Sequence, residues 1–198
     1  LSDDTQLVLY DDQGGAMAGR LWMLARWLGH EKVALLDGGF DAWKHAGYPL
    51  TAEPTAPRKA GQLSERPSLV QLLNTAQLQA ALQDGHSQVV DARGADRYRG
   101  ENETIDPVAG HIPGALNRPF MQNLRPDGRF KPAEVLRDEW ERLLAGRSPE
   151  DIIHQCGSGV TANHNLLAME LAGLPGSRLY PPSWSGWISD PARPVAKG

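Results

Sequence analysis

The sequence predicts an α/β fold, a three-layer sandwich in which helices cover both faces of a mainly parallel sheet. Short apolar runs alternate with segments of helical periodicity along most of the 198 residues. A loop of small residues leads from one apolar run into a helix at Cys156, and the same order of strand, loop and helix occurs 144 residues earlier. These observations predict one complete domain and the C-terminal part of a second copy.

The first 50 residues contain the elements of the incomplete copy. Strands are predicted at 7–10 and 33–36, and the residues between them, 16–28, have the periodicity of a helix. A turn rich in aspartate and glycine at 37–39 then leads into a short helix.

Residues 51–67 are predicted to link the two copies, because they hold three prolines, small and charged residues and no periodicity. Residues 68–198 supply the complete domain. Asn74 is expected to cap its first helix, and Gln77 completes a variant of the capping box. The remaining predicted elements are strand 88–91, helix 135–144, strand 151–155, helix 162–172, strand 178–180 and a helix through Trp184 and Trp187.

The two copies align without a gap when the chain is shifted by 144 positions. The matched pairs are Gly15 with Gly159, Ala18 with Ala162, Gly29 with Gly173 and Trp43 with Trp187. Asp12 then lies opposite Cys156. We therefore interpret residues 1–50 as the C-terminal portion of a first domain that is inactive because Asp12 replaces the cysteine.

Cys156 is the only cysteine in the sequence. It begins the segment Cys156-Gly157-Ser158-Gly159-Val160-Thr161-Ala162, at the carboxyl end of a predicted strand, where ligands bind in parallel sheets. A glycine-rich loop lets several N–H groups point at one centre, and the helix that follows adds the positive end of its dipole. Such surroundings stabilise a thiolate, so Cys156 is predicted to be a nucleophile and not only a small buried side chain.

Composition excludes several classes of function. The net charge of −4, the pI of about 5.9 and the absence of a stripe of Lys and Arg argue against nucleic acid as a partner. No apolar run approaches about 18 residues, which argues against a membrane span. The six histidines lack metal-ligand spacing, so neither a metal nor another cofactor is expected. A single cysteine suits a reducing compartment, and we expect a cytoplasmic monomer.

Four motifs, in order, carry a family resemblance. They are Asp91-Ala92-Arg93, Gly110-His111-Ile112-Pro113-Gly114-Ala115, the Cys156 loop, and Leu179-Tyr180 with Ser183-Trp184 and Trp187. Together they resemble the second domain of a tandem rhodanese-like sulfurtransferase. The segment Leu36-Asp37-Gly38-Gly39-Phe40-Asp41-Ala42-Trp43 resembles the closing motif of that family's inactive first domain, so the resemblance covers nearly the whole chain.

The resemblance implies that a sulfane sulfur is transferred through a cysteine persulfide. Cys156 would be the nucleophile and the sulfur carrier. Backbone N–H groups would hold the anionic persulfide, and they belong to Gly157, Ser158, Gly159, Val160, Thr161 and Ala162. Among these residues, side-chain chemistry is assigned only to Ser158 and Thr161. The partners would be a small anionic sulfur donor and a thiol or cyanide acceptor.

The loop resembles that of 3-mercaptopyruvate sulfurtransferases, because Gly157 and Ser158 stand where thiosulfate sulfurtransferases usually carry basic residues. Arg97 matches the family's anion-binding arginine and would bind the carboxylate of this donor. The alternatives for Arg97 are a surface position or a salt bridge to a carboxylate such as Asp91. Thiosulfate is the alternative donor. A non-catalytic binding module is a further alternative, whereas a phosphatase would need an arginine where Ala162 stands.

Three histidines lie near these motifs, and the sequence predicts a structural role or a neutral ring for each. His111 is expected to fasten a turn by hydrogen bonding and not to act as a base. His154 precedes the cysteine by two residues and shares its side of the strand, but a structural role is preferred. His164 lies on the first turn of a helix, where the dipole disfavours a cation, so its ring is expected to be neutral or exposed.

Overall fold

The computed structural model describes residues 1–56 and 59–198. Pro57 and Arg58, which belong to the predicted linker, lie outside the described residues. The linker residues on either side of them are exposed and contain no helix or strand. Within the described ranges, no helix combines the length and the apolar character needed to cross a membrane.

The first copy forms two parallel strands connected by a helix and followed by a second helix. Its elements are β1 (Leu7–Leu9), α1 (Ala16–Trp27), β2 (Val33–Leu35) and α2 (Gly39–His45). β1 and β2 pair in parallel, with Leu9 opposite Leu35. The two strands and the first helix each end one residue before the predicted end.

The second copy contains a four-stranded parallel sheet in the order β4-β3-β5-β6. Its strands are β3 (Gln88–Asp91), β4 (Leu116–Asn117), β5 (Ile152–Gln155) and β6 (Arg178–Leu179). Its helices are α3 (Thr75–Asp84), α4 (Ala95–Arg99), α5 (Ala133–Leu144), α6 (Ala162–Leu171) and α7 (Ser183–Trp187). β3 and β5 are central, so the loop that follows β5 leaves from the middle of the sheet.

Local sequence signals account for some of these elements and not for others. The Asn74 side chain accepts the Gln77 N–H (2.9 Å) and the Gln77 side chain accepts the Asn74 N–H (2.8 Å), which confirms the capping box at the start of α3. α4 and β4 are absent from the sequence prediction. They contain five and two residues, which is too short for a hydrophobic period to be recognised.

Helices cover both faces of the four-stranded sheet, which confirms the predicted three-layer arrangement. Val89 lies in a buried cluster with Trp184 of α7 on one face. The adjacent Val90 lies in a separate cluster with Trp140 of α5 and Met169 of α6. Neighbouring strand residues face opposite layers because the side-chain period of a strand is two. Each large apolar side chain buried in this way contributes about 1.5–3 kcal/mol.

The two copies share a third buried cluster. Trp22 of α1 packs there with Leu166 and Leu167 of α6. The two helices approach closely at Gly19, where an added Cβ would lie 3.7 Å from the backbone nitrogen of His164. The helices that follow the two equivalent loops are therefore packed against each other.

The structure pairs Asp11, and not Asp12, with Cys156. The N–H of Phe40 donates to the carbonyl of Asp11 (2.9 Å), and the N–H of Trp184, which is the repeat equivalent of Phe40, donates to the carbonyl of Cys156 (3.0 Å). The prediction that Asp12 replaces the cysteine is therefore corrected. Its physical reason is that the first loop is one residue longer, which an alignment without gaps cannot accommodate.

Candidate active site

Cys156 lies at the carboxyl end of the central strand β5, and its loop leads directly into α6. The residue is 1% exposed. Ser158, two residues further along the loop, is exposed to solvent. The thiol therefore lies at the base of a loop whose rim reaches the surface.

The carbonyl oxygens of this loop are bonded to donors from the surrounding structure. The bonds run from Trp184 N–H to Cys156 O (3.0 Å), from Ser185 N–H to Gly157 O (2.9 Å), from Asn163 Nδ2 to Gly159 O (2.8 Å) and Val160 O (2.7 Å), and from His164 N–H to Thr161 O (3.1 Å). A second donor to Gly159 O is Nη1 of Arg20 in α1 (2.9 Å), which belongs to the other copy. Five of the peptide groups are thus fixed through their oxygens.

The N–H groups of the same loop have no such partners. Among the described residues, none of the backbone N–H groups of residues 157–162 donates to a protein acceptor. In a trans peptide the N–H points away from the carbonyl, and the described peptide bonds are all trans. The N–H groups that follow the bonded carbonyls therefore point away from the donors that hold those carbonyls. A row of unpaired N–H donors beside a buried cysteine can bind an anion.

Two residues with positive φ fix the shape of this region. Gly159 has a φ of 76°, and an added Cβ would collide with the carbonyl oxygen of Pro181. Ser183 has a φ of 53°, which is uncommon for a residue with a side chain. Its hydroxyl accepts the N–H of Cys156 (3.1 Å) and donates to the carbonyl of Tyr180 (3.0 Å). These bonds hold Ser183 in its strained conformation beside the cysteine.

Arg97 of α4 lies beside the start of the loop. Its Nε and Nη2 donate to the carboxylate of Glu103 (2.9–3.1 Å), and Nη2 also donates to Asp106 (3.0 Å). A Cβ built on Gly157 would lie 3.6 Å from both Nη1 and Nη2. Nη1 donates to no acceptor among the described residues, and the side chain is 20% exposed. Two acids therefore orient the guanidinium and leave Nη1 without an acceptor among the described residues.

A buried ion pair next to Arg97 shares its partner Glu103. Arg93 donates to Asp91 (2.7 Å) and to Glu103 (3.3 Å), and its guanidinium lies 4.8 Å from the ring centroid of Trp184. The alternative expected for Arg97, a salt bridge to a carboxylate, is present in the structure. Its partners are Glu103 and Asp106, because Asp91 pairs with Arg93. Burial alone would raise the pKa of Glu103, but hydrogen bonds from Arg97 and from backbone N–H groups outweigh it and lower that pKa. Glu103 therefore stays ionised between its two arginines.

The equivalent loop of the first copy is filled by a carboxylate from its own chain. Asp11 Oδ1 accepts the N–H groups of Gln13 (2.9 Å) and Gly15 (2.8 Å), and Oδ2 accepts those of Met17 (2.8 Å) and Ala18 (2.9 Å). Burial opposes ionisation, but these four bonds lower the pKa of Asp11. A loop of this shape therefore binds an anion through its main chain.

The structure brings the residues predicted from the sequence together in one place. They are Cys156, the loop residues Gly157, Ser158, Gly159, Val160, Thr161 and Ala162, and Arg97. The hydroxyls of Ser158 and Thr161 form no hydrogen bond with another described residue, so their predicted roles stay predictions. Sequence reasoning missed Arg20 and Asp106, because each reaches the site only through the fold.

The histidines near the loop are neutral and bonded elsewhere. Nε2 of His154 lies 3.2 Å from the hydroxyl of Ser177, and burial lowers the pKa of His154 to about 3. His164 accepts a hydrogen bond from Asn123 at Nδ1 (3.2 Å) and donates from Nε2 to the carbonyl of Gly14 (3.0 Å). Burial lowers the pKa of His164 to about 4, which confirms the expectation of a neutral ring.

Sequence comparison finds close relatives over the whole chain. The rhodanese-like domain family matches residues 1–46 and 74–190. The chain is 51% identical over 199 residues to a probable 3-mercaptopyruvate sulfurtransferase of Pseudomonas aeruginosa, an alignment that covers all of this chain and 70% of the relative. It is 38% identical over 206 residues to the thiosulfate sulfurtransferase of Mus musculus, covering all of this chain and 68% of that protein.

Structural comparison finds the same architecture in solved proteins. The Tum1 protein of Saccharomyces cerevisiae matches 99% of this chain and 70% of its own, with a TM-score of 0.83 and 27% identity. The anaerobic ergothioneine biosynthesis enzyme of Chlorobium limicola matches all of this chain and 52% of its own, with a TM-score of 0.84. At 23% identity the second likeness shows a shared fold.

Proposed function

This chain belongs to the rhodanese-like family and is a sulfurtransferase, and on that premise we propose that Cys156 carries the transferred sulfur as a persulfide. The unbonded N–H groups of residues 157–162 support this role most directly. In the equivalent loop of the first copy, four N–H groups bind the carboxylate of Asp11, those of Gln13, Gly15, Met17 and Ala18. The N–H of Ala16, the equivalent of Val160, donates instead to the carbonyl of Gln13. An anion on the side chain of Cys156 would occupy the corresponding position in the second copy.

The proposed reaction has two balanced steps. The Cys156 thiolate attacks the sulfur of 3-mercaptopyruvate, the S–S bond forms and the C–S bond breaks with its electron pair left on carbon. The thiol proton of the donor ends on that carbon, which gives pyruvate and an anionic Cys156 persulfide. Cyanide or a thiolate then attacks the outer sulfur, takes it as thiocyanate or a new persulfide, and releases the Cys156 thiolate. Main-chain donors stabilise the anion in both steps without needing to reorganise.

We propose 3-mercaptopyruvate as the donor because of Arg97. Its position beside Gly157 and its unpartnered Nη1 suit a carboxylate attached close to the reacting sulfur. The relative of Pseudomonas aeruginosa named for this donor supports the choice. Thiosulfate is the second candidate, since the relative of Mus musculus carries its name. Thiosulfate is a dianion, and its sulfonate group would face the loop with no basic residue at Gly157 or Ser158.

The experiment that tests the carrier compares the unmodified protein with Cys156→Ser. After treatment with either donor, intact mass should rise by one sulfur in the unmodified protein alone, and cyanide should remove it. Steady-state assays with each donor then rank 3-mercaptopyruvate against thiosulfate. Equal turnover by Cys156→Ser would overturn the carrier assignment, whereas a higher kcat/KM for thiosulfate would overturn only the choice of donor.

A matched pair of arginine variants tests the donor site. Arg97→Gln should raise the KM for 3-mercaptopyruvate roughly tenfold with little change in kcat, since a contact made equally in ground and transition states is lost. Arg97→Lys should recover part of that loss. The control is Arg99→Gln on the same helix, because Arg99 pairs with the exposed Glu101. An equal effect of Arg99→Gln would contradict a specific role for Arg97.

The remaining features of the proposal concern partners and compartment. The net charge of −4 and a single cysteine are consistent with a monomer that works in the cytoplasm on a small anionic donor and a thiol or cyanide acceptor. Neither nucleic acid nor a membrane is part of the proposed reaction. Size-exclusion chromatography with light scattering would test whether the protein is a monomer, and localisation of a tagged protein would test whether it is cytoplasmic.

A further inference from the structure

Two hydrogen bonds cross between the copies in a reciprocal way. Arg20 of α1 and His164 of α6 are 144 positions apart and are therefore equivalent in the repeat. Arg20 Nη1 donates to the carbonyl of Gly159 in the cysteine loop (2.9 Å), and His164 Nε2 donates to the carbonyl of Gly14 in the Asp11 loop (3.0 Å). Each copy thus supports the loop of the other from the helix that follows its own loop.

The contact made by Arg20 fixes a specific peptide. Arg20 and Asn163 both donate to the carbonyl of Gly159 (2.9 and 2.8 Å). Because this peptide is trans, its N–H, which belongs to Val160, points away from both donors. A guanidinium bonded to the carbonyl also polarises the peptide and strengthens that N–H as a donor.

We infer that Arg20 is a positioning residue for sulfur transfer, through which the cysteine-free copy fixes the Gly159–Val160 peptide in the loop that surrounds Cys156. The inference rests on the proposed function, because it assigns the N–H groups of that loop to the anion carried by Cys156. Arg20 itself bonds a carbonyl of the loop and not the N–H groups assigned to the anion. The first copy would therefore contribute to the reaction through one side chain although it lacks a cysteine.

The test compares variants at two arginines of the same helix. Arg26 also lies on α1 and also reaches α6, where it pairs with Glu170 (3.7 Å), but it contacts no residue of the loop. Arg20→Gln should lower kcat about tenfold or more, the loss expected for one charge-assisted hydrogen bond, with the donor KM within about twofold. Arg20→Lys should recover part of kcat. Arg26→Gln should leave kcat within about twofold of the unmodified protein.

A donor-independent readout separates this inference from the proposed function. The rate of Cys156 alkylation by iodoacetamide, followed against pH, should shift to higher pH in Arg20→Gln and stay unchanged in Arg26→Gln, because a less polarised loop holds a thiolate less well. Thermal melting monitors folding of both variants. If Arg20→Gln stays folded with unchanged kcat and alkylation profile, or if Arg26→Gln shows the same losses, the inference is overturned. Failure of Cys156 to take up sulfur in the unmodified protein would instead overturn the proposed function.

Discussion

The loop after β1 and the loop after β5 have the same construction and differ in what their N–H groups bind. In the first, the carboxylate of Asp11 accepts four backbone N–H groups. In the second, the N–H groups of residues 157–162 have no acceptor among the described residues, and Cys156 stands where Asp11 stands. The comparison shows that the same loop construction holds a carboxylate of its own chain in the first copy and leaves its N–H groups without a protein acceptor in the second, as the proposed anion site requires.

The largest expected effect comes from the glycine at the turn of each loop. Gly159→Ala should lower kcat/KM by more than about 100-fold, because a Cβ at a φ of 76° collides with the carbonyl of Pro181 and the loop cannot keep its shape. The matched variant Gly15→Ala also places a Cβ at a positive φ (89°), but its three nearest neighbours are side-chain atoms of Leu35 (3.2 Å), Phe130 (3.6 Å) and His164 (3.8 Å) and not backbone atoms. It should therefore reduce activity by less than about tenfold. Steady-state kinetics of the two variants measures the loss of kcat/KM, and circular dichroism confirms that both are folded. Equal losses would contradict the prediction that the glycine of the cysteine loop is the more tightly constrained of the two.

A carboxylate can also be placed in the open loop. Cys156→Asp should be inactive but folded, with a free energy of unfolding within about 1 kcal/mol of the unmodified protein at pH 7, because the free N–H groups can donate hydrogen bonds to the carboxylate. An unpaired charge at a site 1% exposed would otherwise cost about 3–5 kcal/mol.

The control for that variant is Cys156→Asn, which has the same shape and no charge. Relative to Cys156→Asn, the aspartate variant should be more stable above about pH 4, the ordinary pKa of an aspartate carboxyl. This difference should disappear as the pH falls through the lower pKa that the carboxyl has in the folded protein. Urea denaturation at several pH values measures the difference. If Cys156→Asp proves several kcal/mol less stable than Cys156→Asn at pH 7, the N–H groups do not converge on this side chain.

The two neighbouring aspartates of the first loop offer a smaller, paired test. Asp11→Ala should lower the free energy of unfolding by about 2 kcal/mol, since four backbone donors lose their acceptor. Asp12→Ala should change it by less than about 0.5 kcal/mol, because Asp12 is exposed. Urea denaturation at pH 7 measures both. A larger effect at Asp12 would instead favour the alignment without a gap, in which Asp12 is the equivalent of Cys156.

A pH-dependent effect concerns the donors that support the two loops, a permanent cation at Arg20 and a neutral ring at His164. Burial lowers the pKa of His164 to about 4, whereas in the unfolded chain it is about 6.5. Between these values only the unfolded chain binds the proton, so stability falls as the pH decreases from 6.5 to 4, by about 1.4 kcal/mol per pH unit. In His164→Gln this part of the slope should vanish, while the contribution of His154, whose pKa is lowered to about 3, remains. An unchanged slope would contradict the neutral assignment.

The sequence predicts elements well where a pattern is local. The capping box at Asn74 and the helix after Cys156 follow from adjacent residues, and the structure has both. It fails where the deciding contact is distant. Arg20 reaches Gly159 across 139 positions, and nothing in the spacing of α1 marks this arginine apart from Arg26. The choice between Asp11 and Asp12 depends on a one-residue difference in loop length, which only the hydrogen bonds of the strands and loops resolve.

The close approach of α1 and α6 at Gly19 has a consequence for how the molecule comes apart. Trp22, on the turn after Gly19, shares one buried cluster with Leu166 and Leu167 of the other helix. Separating the copies would expose this cluster on both sides at once, so we expect neither half to have an independent melting transition and calorimetry to record a single cooperative one. Two loop-and-helix units of matching construction would then unfold together.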